Sequence, residues 1–439
     1  MSTQESVVQT PEPVVTAAAV EGAAARIAPV VSRTPLELHP RLCEMTGAQV
    51  YLKREDLQSV RSYKIRGAYN VMAQLSDAEK AAGVVAASAG NHAQGVAYAC
   101  KRMQVQGRIY VPTTTPAQKR DRIRWHGGAW VELIAAGDTY DAAAAAAQAD
   151  VARTSATWIH AFNDPRTAAG QGTIAREIVE QLGRAPDVLI APVGGAGCVA
   201  GMAAYLRAAS DETCIVGVEP AGAASLAAAL RAGGPVTLDT IDPFVDGAAV
   251  KRIGDVGYWT LAGFGARVAT TPTSPEPGQL LVTDVDEGAI CSVMLELYQN
   301  EGVIAEPAGA LSVAGMHELR LQPGSTVVCL LSGGNNDVSR YGEIIERSLV
   351  HRGLKHYFLV AFPQEPGALR RFLDEVLGPG DDITLFEYVK RNNRETGQAL
   401  VGIQLSESDG LGPLMDRIRT SRLQCERLEP GSPAYRYLT

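Results

Sequence analysis

The seven cysteines, at positions 43, 100, 198, 214, 291, 329 and 425, include no CxxC pair. An odd, scattered set provides neither a disulfide framework nor a zinc site, and it fits reduced thiols in a reducing compartment. No window approaches the roughly 18 unbroken apolar residues of a membrane-spanning helix, and the first twenty residues lack the basic start and apolar stretch of a secretory signal. A cytoplasmic location without membrane contact is therefore expected. Basic residues do not exceed acidic ones: 40 against 48 gives a net charge of −8. That balance implies no basic patch, so no nucleic-acid partner is expected. What is present is 439 residues, of which 46% are apolar. Such a length suggests roughly two or three domains and buries about 75% of the unfolded surface without staples.

Residues 1–19 begin polar, with Pro11 and Pro13, and are expected to form a flexible arm. From 20 to 347, β-branched runs alternate with alanine-rich stretches. Strands are predicted at Val84–Ala87, Arg108–Val111, Trp130–Ile134, Asp187–Val193, Cys214–Val218 and Ser325–Leu331, and helices at 92–103, 138–153, 172–182 and 198–209. This alternation predicts an α/β fold, with parallel sheets covered by helices on both faces. The alanine tract 142–147 reads as ordinary helix, given its propensity and its polar flanks. Near 350 the texture changes. A strand His356–Pro363 precedes a helix expected to open at Pro366, with Leu369, Phe372, Leu373, Val376 and Leu377 on one face. Strands 383–389 and 399–405 flank the turn RNNRETG, and a helix 411–421 and an extended tail follow. The order β-α-β-β-α-β predicts an α+β ferredoxin-like domain over 350–439.

Three segments fall at strand ends, where open α/β sheets bind ligands. SAGNH (Ser88–His92) and GGAG (Gly194–Gly197) each open a helix, and SGGNND (Ser332–Asp337) follows STVVCLL. Free N–H groups at a helix start bind anions, so GGAG suits a phosphate and SAGN a small carboxylate. A tight turn and a Ser88 N-cap are the plain alternatives. GGAG also begins a segment resembling a dinucleotide fingerprint, Gly195 to Gly201, with Glu219 placed where an acid meets a ribose. A nicotinamide-linked oxidoreductase therefore stays open on these residues alone.

The segment KRED, then S-Y-K-x-R-G-A around Lys64, then SAGNHAQG, HAFNDPRTAAGQGT, PVGGAG, EPAGAL (Glu306–Leu311) and LSGGNND, resembles the ordered motif set of the tryptophan-synthase-β-like pyridoxal-phosphate enzymes. The similarity spans 51–337 and is strongest to their threonine-dehydratase branch. PGALRRFL and DITLFEYVKRNN make the tail similar to the single ACT-like regulatory domain of some members.

The resemblance implies the two-subdomain fold type II, with a catalytic domain over 20–347 and its small subdomain near 64–160. It further implies that Lys64 holds pyridoxal 5′-phosphate as a Schiff base and acts as general base. Gly194, Gly195, Ala196, Gly197 and Cys198 would cradle the phosphate, Asn91 would bond the ring hydroxyl and Ser332 would face the ring nitrogen. Ser88, Ala89, Gly90, Asn91 and His92 would grip the substrate carboxylate, His92 mainly shaping the loop. Ala89 stands where related racemases carry a second serine, which argues against racemisation. Ala196 replaces a usual glycine, tolerable if its backbone angles allow it. Ser225 stands where metal-binding relatives have an acid, so no metal is expected. The implied reaction is deamination of L-threonine to 2-oxobutanoate and ammonia, the first step toward isoleucine, with L-serine as secondary substrate. Isoleucine would inhibit, valine relieve, and the enzyme would be a homotetramer. A β-replacement enzyme, a serine dehydratase and a non-catalytic amino-acid sensor are the remaining alternatives.

Overall fold

The computed structural model describes residues 14–270, 272–388, 395–421, 423–429, 432 and 435. Order begins earlier than an arm over 1–19 allows. Val15 is buried, and the Thr16 side chain accepts from Ala19 N to cap the helix Ala17–Ile27. That helix buries Val20, Ala23 and Ile27, a three-and-four spacing that overrides the polar look of the segment. Residues 1–13 lie outside the described part.

The chain divides into two compact units, 1–287 with 300–337, and 288–299 with 338–439. The assignment of 288–299 follows from contacts inside the second unit: Ser292 Oγ lies 2.9 Å from Ser348 Oγ, and the Tyr298 ring meets that of Tyr341. A sequence boundary near 347–350 does not show this.

The first unit carries two sheets. In the larger, seven strands run from edge to edge in the order Leu36–Leu38, Gln49–Arg54, Thr326–Leu331, Val188–Pro192, Cys214–Pro220, Leu280–Val285, Arg267–Val268. Only the Leu36–Leu38 edge pairs antiparallel. Val188–Pro192 and Thr326–Leu331 are buried at every residue, the signature of parallel strands covered on both faces. The smaller sheet, Val131–Ala135, Gly107–Val111, Val84–Ala87, Thr157–Trp158, is wholly parallel. Between the sheets in sequence runs the helix Pro165–Leu182, which starts well before the predicted 172. Asp164 accepts from Arg166 N and Pro165 takes the first turn. Glycines conceal this helix in the sequence. An added Cβ at Gly170 would stand 2.7 Å from Arg66 O and from Gly67 Cα, so close helix packing demands glycine there.

The second unit contains a four-stranded antiparallel sheet ordered Asp382–Tyr388, Thr396–Gln404, Lys355–Pro363, Gln424–Leu428. With helices Ala368–Glu375 and Leu411–Thr420 this is the ferredoxin-like order. Phe358, Phe362, Phe372, Val401 and Ile403 form its core. The first helix does not open at Pro366: Gly367 has φ +87°, a left-handed residue that blocks continuation, and the helix starts at Ala368. Its buried face is narrower than predicted, because Phe372 and Val376 are enclosed while Leu369 and Leu373 are exposed. Residues 389–394, most of the predicted turn, lie outside the described part.

Candidate active site

Lys64 opens the helix Lys64–Met72, and a buried ionic cluster fixes that helix from behind. Arg66, fully buried, donates to both oxygens of Glu55 at 2.8 and 2.9 Å and to both of Glu177 at 2.7 and 2.9 Å. Lys53 adds a bond to Glu177 at 2.7 Å and one to Thr34 O at 2.8 Å. Against the cost of burial, Arg66 holds the Glu55 carboxyl below its ordinary range. The cluster's charges meet one another, and Lys64, two residues before Arg66, is bonded to none of them.

Lys64 is half-buried, and its amine lies 3.4 Å from Ala161 O and 5.2 Å from the centre of the Tyr63 ring. Burial pulls this amine below the ordinary lysine value, against the opposing pull of the Glu306 carboxylate. Across a narrow cleft stands the loop Gly194–Cys198, which lines the same cavity as Tyr63, Lys64, Ala161 and Phe162. Here the helix Gly197–Ala209 starts with no side chain capping its first N–H groups. Gly195 packs on the Phe162 ring so closely that a Cβ would stand 2.1 Å from the ring carbon Cγ. Ala196 has φ +64°, left-handed, so the alanine is not free of cost here. Cys198 is buried, bonded to the Tyr63 hydroxyl, and burial pushes its thiol up to about 12. It is a neutral wall of the cleft.

The second loop, Ser88–His92, ends the strand Val84–Ala87. Gly90, not Ser88, precedes the helix Asn91–Met103, and no side chain caps it; Ser88 Oγ accepts from Gly90 N at 3.2 Å. The helix lies against Lys64: an added Cβ at Gly95 would stand 3.1 Å from Lys64 O. His92 is buried with Nε2 2.8 Å from Ile159 O, and burial, then Lys64, bring its pKa down to about 3. At neutral pH it is uncharged.

Asn91 bonds through its amide to two residues of other loops. Its Nδ2 donates to Glu306 Oε1 at 2.5 Å, and its Oδ1 accepts from Asn335 Nδ2 at 2.7 Å. The loop after Thr326–Leu331 joins the lysine segment through Tyr63 N donating to Ser332 O at 3.1 Å. Ser332 itself is buried and its hydroxyl donates to Ala308 O at 3.1 Å. Facing a neutral ring nitrogen therefore requires that hydroxyl to re-aim its one proton.

Sequence reasoning gave Ala161 and Phe162 no role beyond their place in HAFNDPRTAAGQGT, and left Glu306 without one although EPAGAL was noticed. Buried acid between two amide-bearing loops is the signal for Glu306. Glu219 has no ribose to meet: both its oxygens accept from the helix start, Leu226 N at 2.6 Å and Ala227 N at 2.8 Å. Among the described residues no group of three or more His, Cys, Asp or Glu could hold a metal ion, and no helix is long and apolar enough to cross a membrane.

The cleft fits a phosphorylated aldehyde that condenses with an amine. An uncapped helix start takes a phosphate, and an amine whose pKa burial lowers is the more easily freed of its proton to attack a carbonyl. Comparison with known proteins agrees. Residues 27–333 match the model of the pyridoxal-phosphate dependent enzyme family, and 346–438 that of the C-terminal regulatory domain of threonine dehydratase. The biosynthetic L-threonine dehydratase IlvA of Mycobacterium leprae is 63% identical over 426 residues, covering 97% of both chains. That of Bacillus subtilis is 49% identical over 393 residues, covering 89% of each. The processed form of threonine deaminase isoform 2 from Solanum lycopersicum superposes with a TM-score of 0.67 at 33% identity, covering 78% of this chain and 92% of its own.

Proposed function

Because the chain belongs to the pyridoxal-phosphate-dependent enzyme family and carries the regulatory domain of threonine dehydratases, we infer that it deaminates L-threonine to 2-oxobutanoate and ammonia. The reaction balances without a second substrate, since the water lost in elimination returns when ammonia is released. One observation carries the assignment of the site: the Lys64 amine and the uncapped loop Gly194–Cys198 line one cavity.

When bound there, pyridoxal phosphate supplies a carbonyl for amines and a conjugated ring that accepts the electron pair left at the substrate α-carbon. The chain's own part is as follows. Lys64 tethers the group, and burial, by lowering its pKa, favours the neutral amine that must attack. The N–H groups of Gly197, Cys198 and the preceding loop hold the phosphate. Ser88, Ala89, Gly90, Asn91 and His92 receive the substrate carboxylate at the second uncapped helix start. Lys64, displaced by substrate, takes the α-proton onto Nζ as general base. Neutral His92 gives no proton to the leaving hydroxyl. L-serine fits as a secondary substrate, since it differs only by a methyl group.

The regulatory reading rests on the ferredoxin-like domain of the second unit. Isoleucine is the inhibitor and valine its antagonist, in a cytoplasmic tetramer whose states bind the effectors differently. Borohydride reduction of the holoenzyme followed by peptide mapping tests the site. A pyridoxyl group is expected on Lys64, and its recovery on another lysine removes the assignment. Titrating isoleucine into the threonine assay tests the regulation: activity is expected to fall, and a flat response rules the effector out.

A further inference from the structure

Glu306 is a buried acid with no basic partner in hydrogen-bond reach among the described residues and no use in the reaction above. It precedes the helix Pro307–Met316 yet does not cap it. Instead its carboxylate crosses to other loops: Oε1 accepts from Asn91 Nδ2 at 2.5 Å and Oε2 from Asn335 N at 3.2 Å. Asn335 closes the triangle, because its Nδ2 donates both to Asn91 Oδ1 at 2.7 Å and to Val60 O at 2.8 Å. The Asn91 amide is thereby gripped at both ends. Its oxygen is occupied by a donor, and one of its two N–H bonds is spent on Glu306. The orientation is fixed, and one N–H remains to donate.

We propose that Glu306 is a positioning residue: with Asn335 it locks the Asn91 amide so that the remaining Nδ2–H donates to the ring oxygen of the cofactor. The proposal rests on the reading that pyridoxal phosphate is tethered at Lys64. It assigns Asn91 its direction, which the sequence alone leaves open, since an asparagine side chain presents a donor or an acceptor after a half-turn.

The lock depends on charge. Both carboxylate oxygens accept, so the arrangement belongs to the ionised acid. Protonation makes one oxygen a donor facing another donor, and the Asn91 amide is driven to turn. Asp246 and Lys119, themselves ion-paired, and Tyr63 and Lys64 are the charged or titratable groups around Glu306. Burial and then Asp246 push its carboxyl up to about 7, with Asn91 and the Asn335 N–H opposing. The locked form is present above that value and fades as pH falls through it.

The test is the visible absorbance of the borohydride-untreated holoenzyme across pH, which reports the proton at the ring oxygen without any turnover. Wild type is expected to change its band ratio near neutral pH. Glu306→Gln, which keeps the shape but cannot ionise, is expected to give a pH-independent ratio while retaining cofactor stoichiometry. Its kcat for threonine should fall roughly tenfold to a hundredfold, the range for removing a partner behind a ligating group. Asn335→Ala provides an independent arm and should move the same band ratio. If Glu306→Gln retains the wild-type titration, or if the wild-type ratio is flat and both variants match it, the proposal is overturned. Wild type that binds no cofactor at Lys64 fails the underlying assignment instead, a different and separately visible result.

Discussion

The back and the front of the helix that carries Lys64 are built on opposite terms. Behind it, Arg66 meets Glu55 and Glu177 with four hydrogen bonds, and Lys53 is bonded as well, so each buried charge has its opposite. In front, Glu306 is buried with only amides, two helix starts lack caps, and Ala196 sits at φ +64°. The paired side fixes where Lys64 stands. The unpaired side keeps groups whose needs a bound ligand can meet. The difference shows that a buried charge is no marker of chemistry until its partners are counted.

The largest effect comes from breaking the paired side. Arg66→Met leaves Glu55 buried beside a neutral side chain. Removing one partner of a buried pair costs about 3–5 kcal/mol, to be read as a lowered urea midpoint with unchanged slope. The pH response then distinguishes the two sides. Glu55 has its folded pKa lowered by Arg66, so it contributes stability above its unfolded value near 4.3 that is lost as pH falls through the folded one. Glu306 has its folded pKa raised to about 7, so it favours the folded state at pH below about 4.3 and gives up that stability as pH rises toward 7. Arg66→Met should therefore weaken the acid-side loss, and leave the decline toward neutrality in place. An unchanged acid limb in Arg66→Met would show that the cluster is not where the acid sensitivity lies.

Much of this was legible beforehand. The strand Val84–Ala87 is found as read, and the loops at 88–92, 194–198 and 332–337 do meet around the lysine segment, because strand-end loops of parallel sheets open on one side. Three things were not legible, each for a physical reason. The helix Pro165–Leu182 hides its first half behind glycines that lower helix propensity but permit close packing. The helix over 17–27 looks like a tail because its apolar residues are mostly alanine and only three, Val20, Ala23 and Ile27, are buried. The role of Glu306 needs a distance: Asn91, Glu306 and Asn335 are far apart in sequence, and only folding brings the two amides onto one carboxylate.

The smallest expected effect sharpens the front of the comparison, at Ala196. An L-residue in the left-handed region costs about 1–2 kcal/mol, which glycine does not suffer. Ala196→Gly recovers that amount. It also loses a buried methyl group worth about 0.8 kcal/mol and adds roughly 0.4–1 kcal/mol of unfolded-state freedom. The terms nearly cancel, so the change in stability should be near zero. Ala200, four residues on in the same helix and equally buried, supplies the control. Its N–H donates to Ala196 O within a regular helix, so Ala200→Gly has no strain to relieve. The methyl loss and the cost of glycine in a helix then add to about 1–2 kcal/mol. Chemical denaturation of the two variants side by side measures the difference, and equal losses would mean that the left-handed turn at 196 stores no strain. On the proposed reading, in which backbone N–H groups that both substitutions keep hold the phosphate, Ala196→Gly should leave cofactor affinity intact.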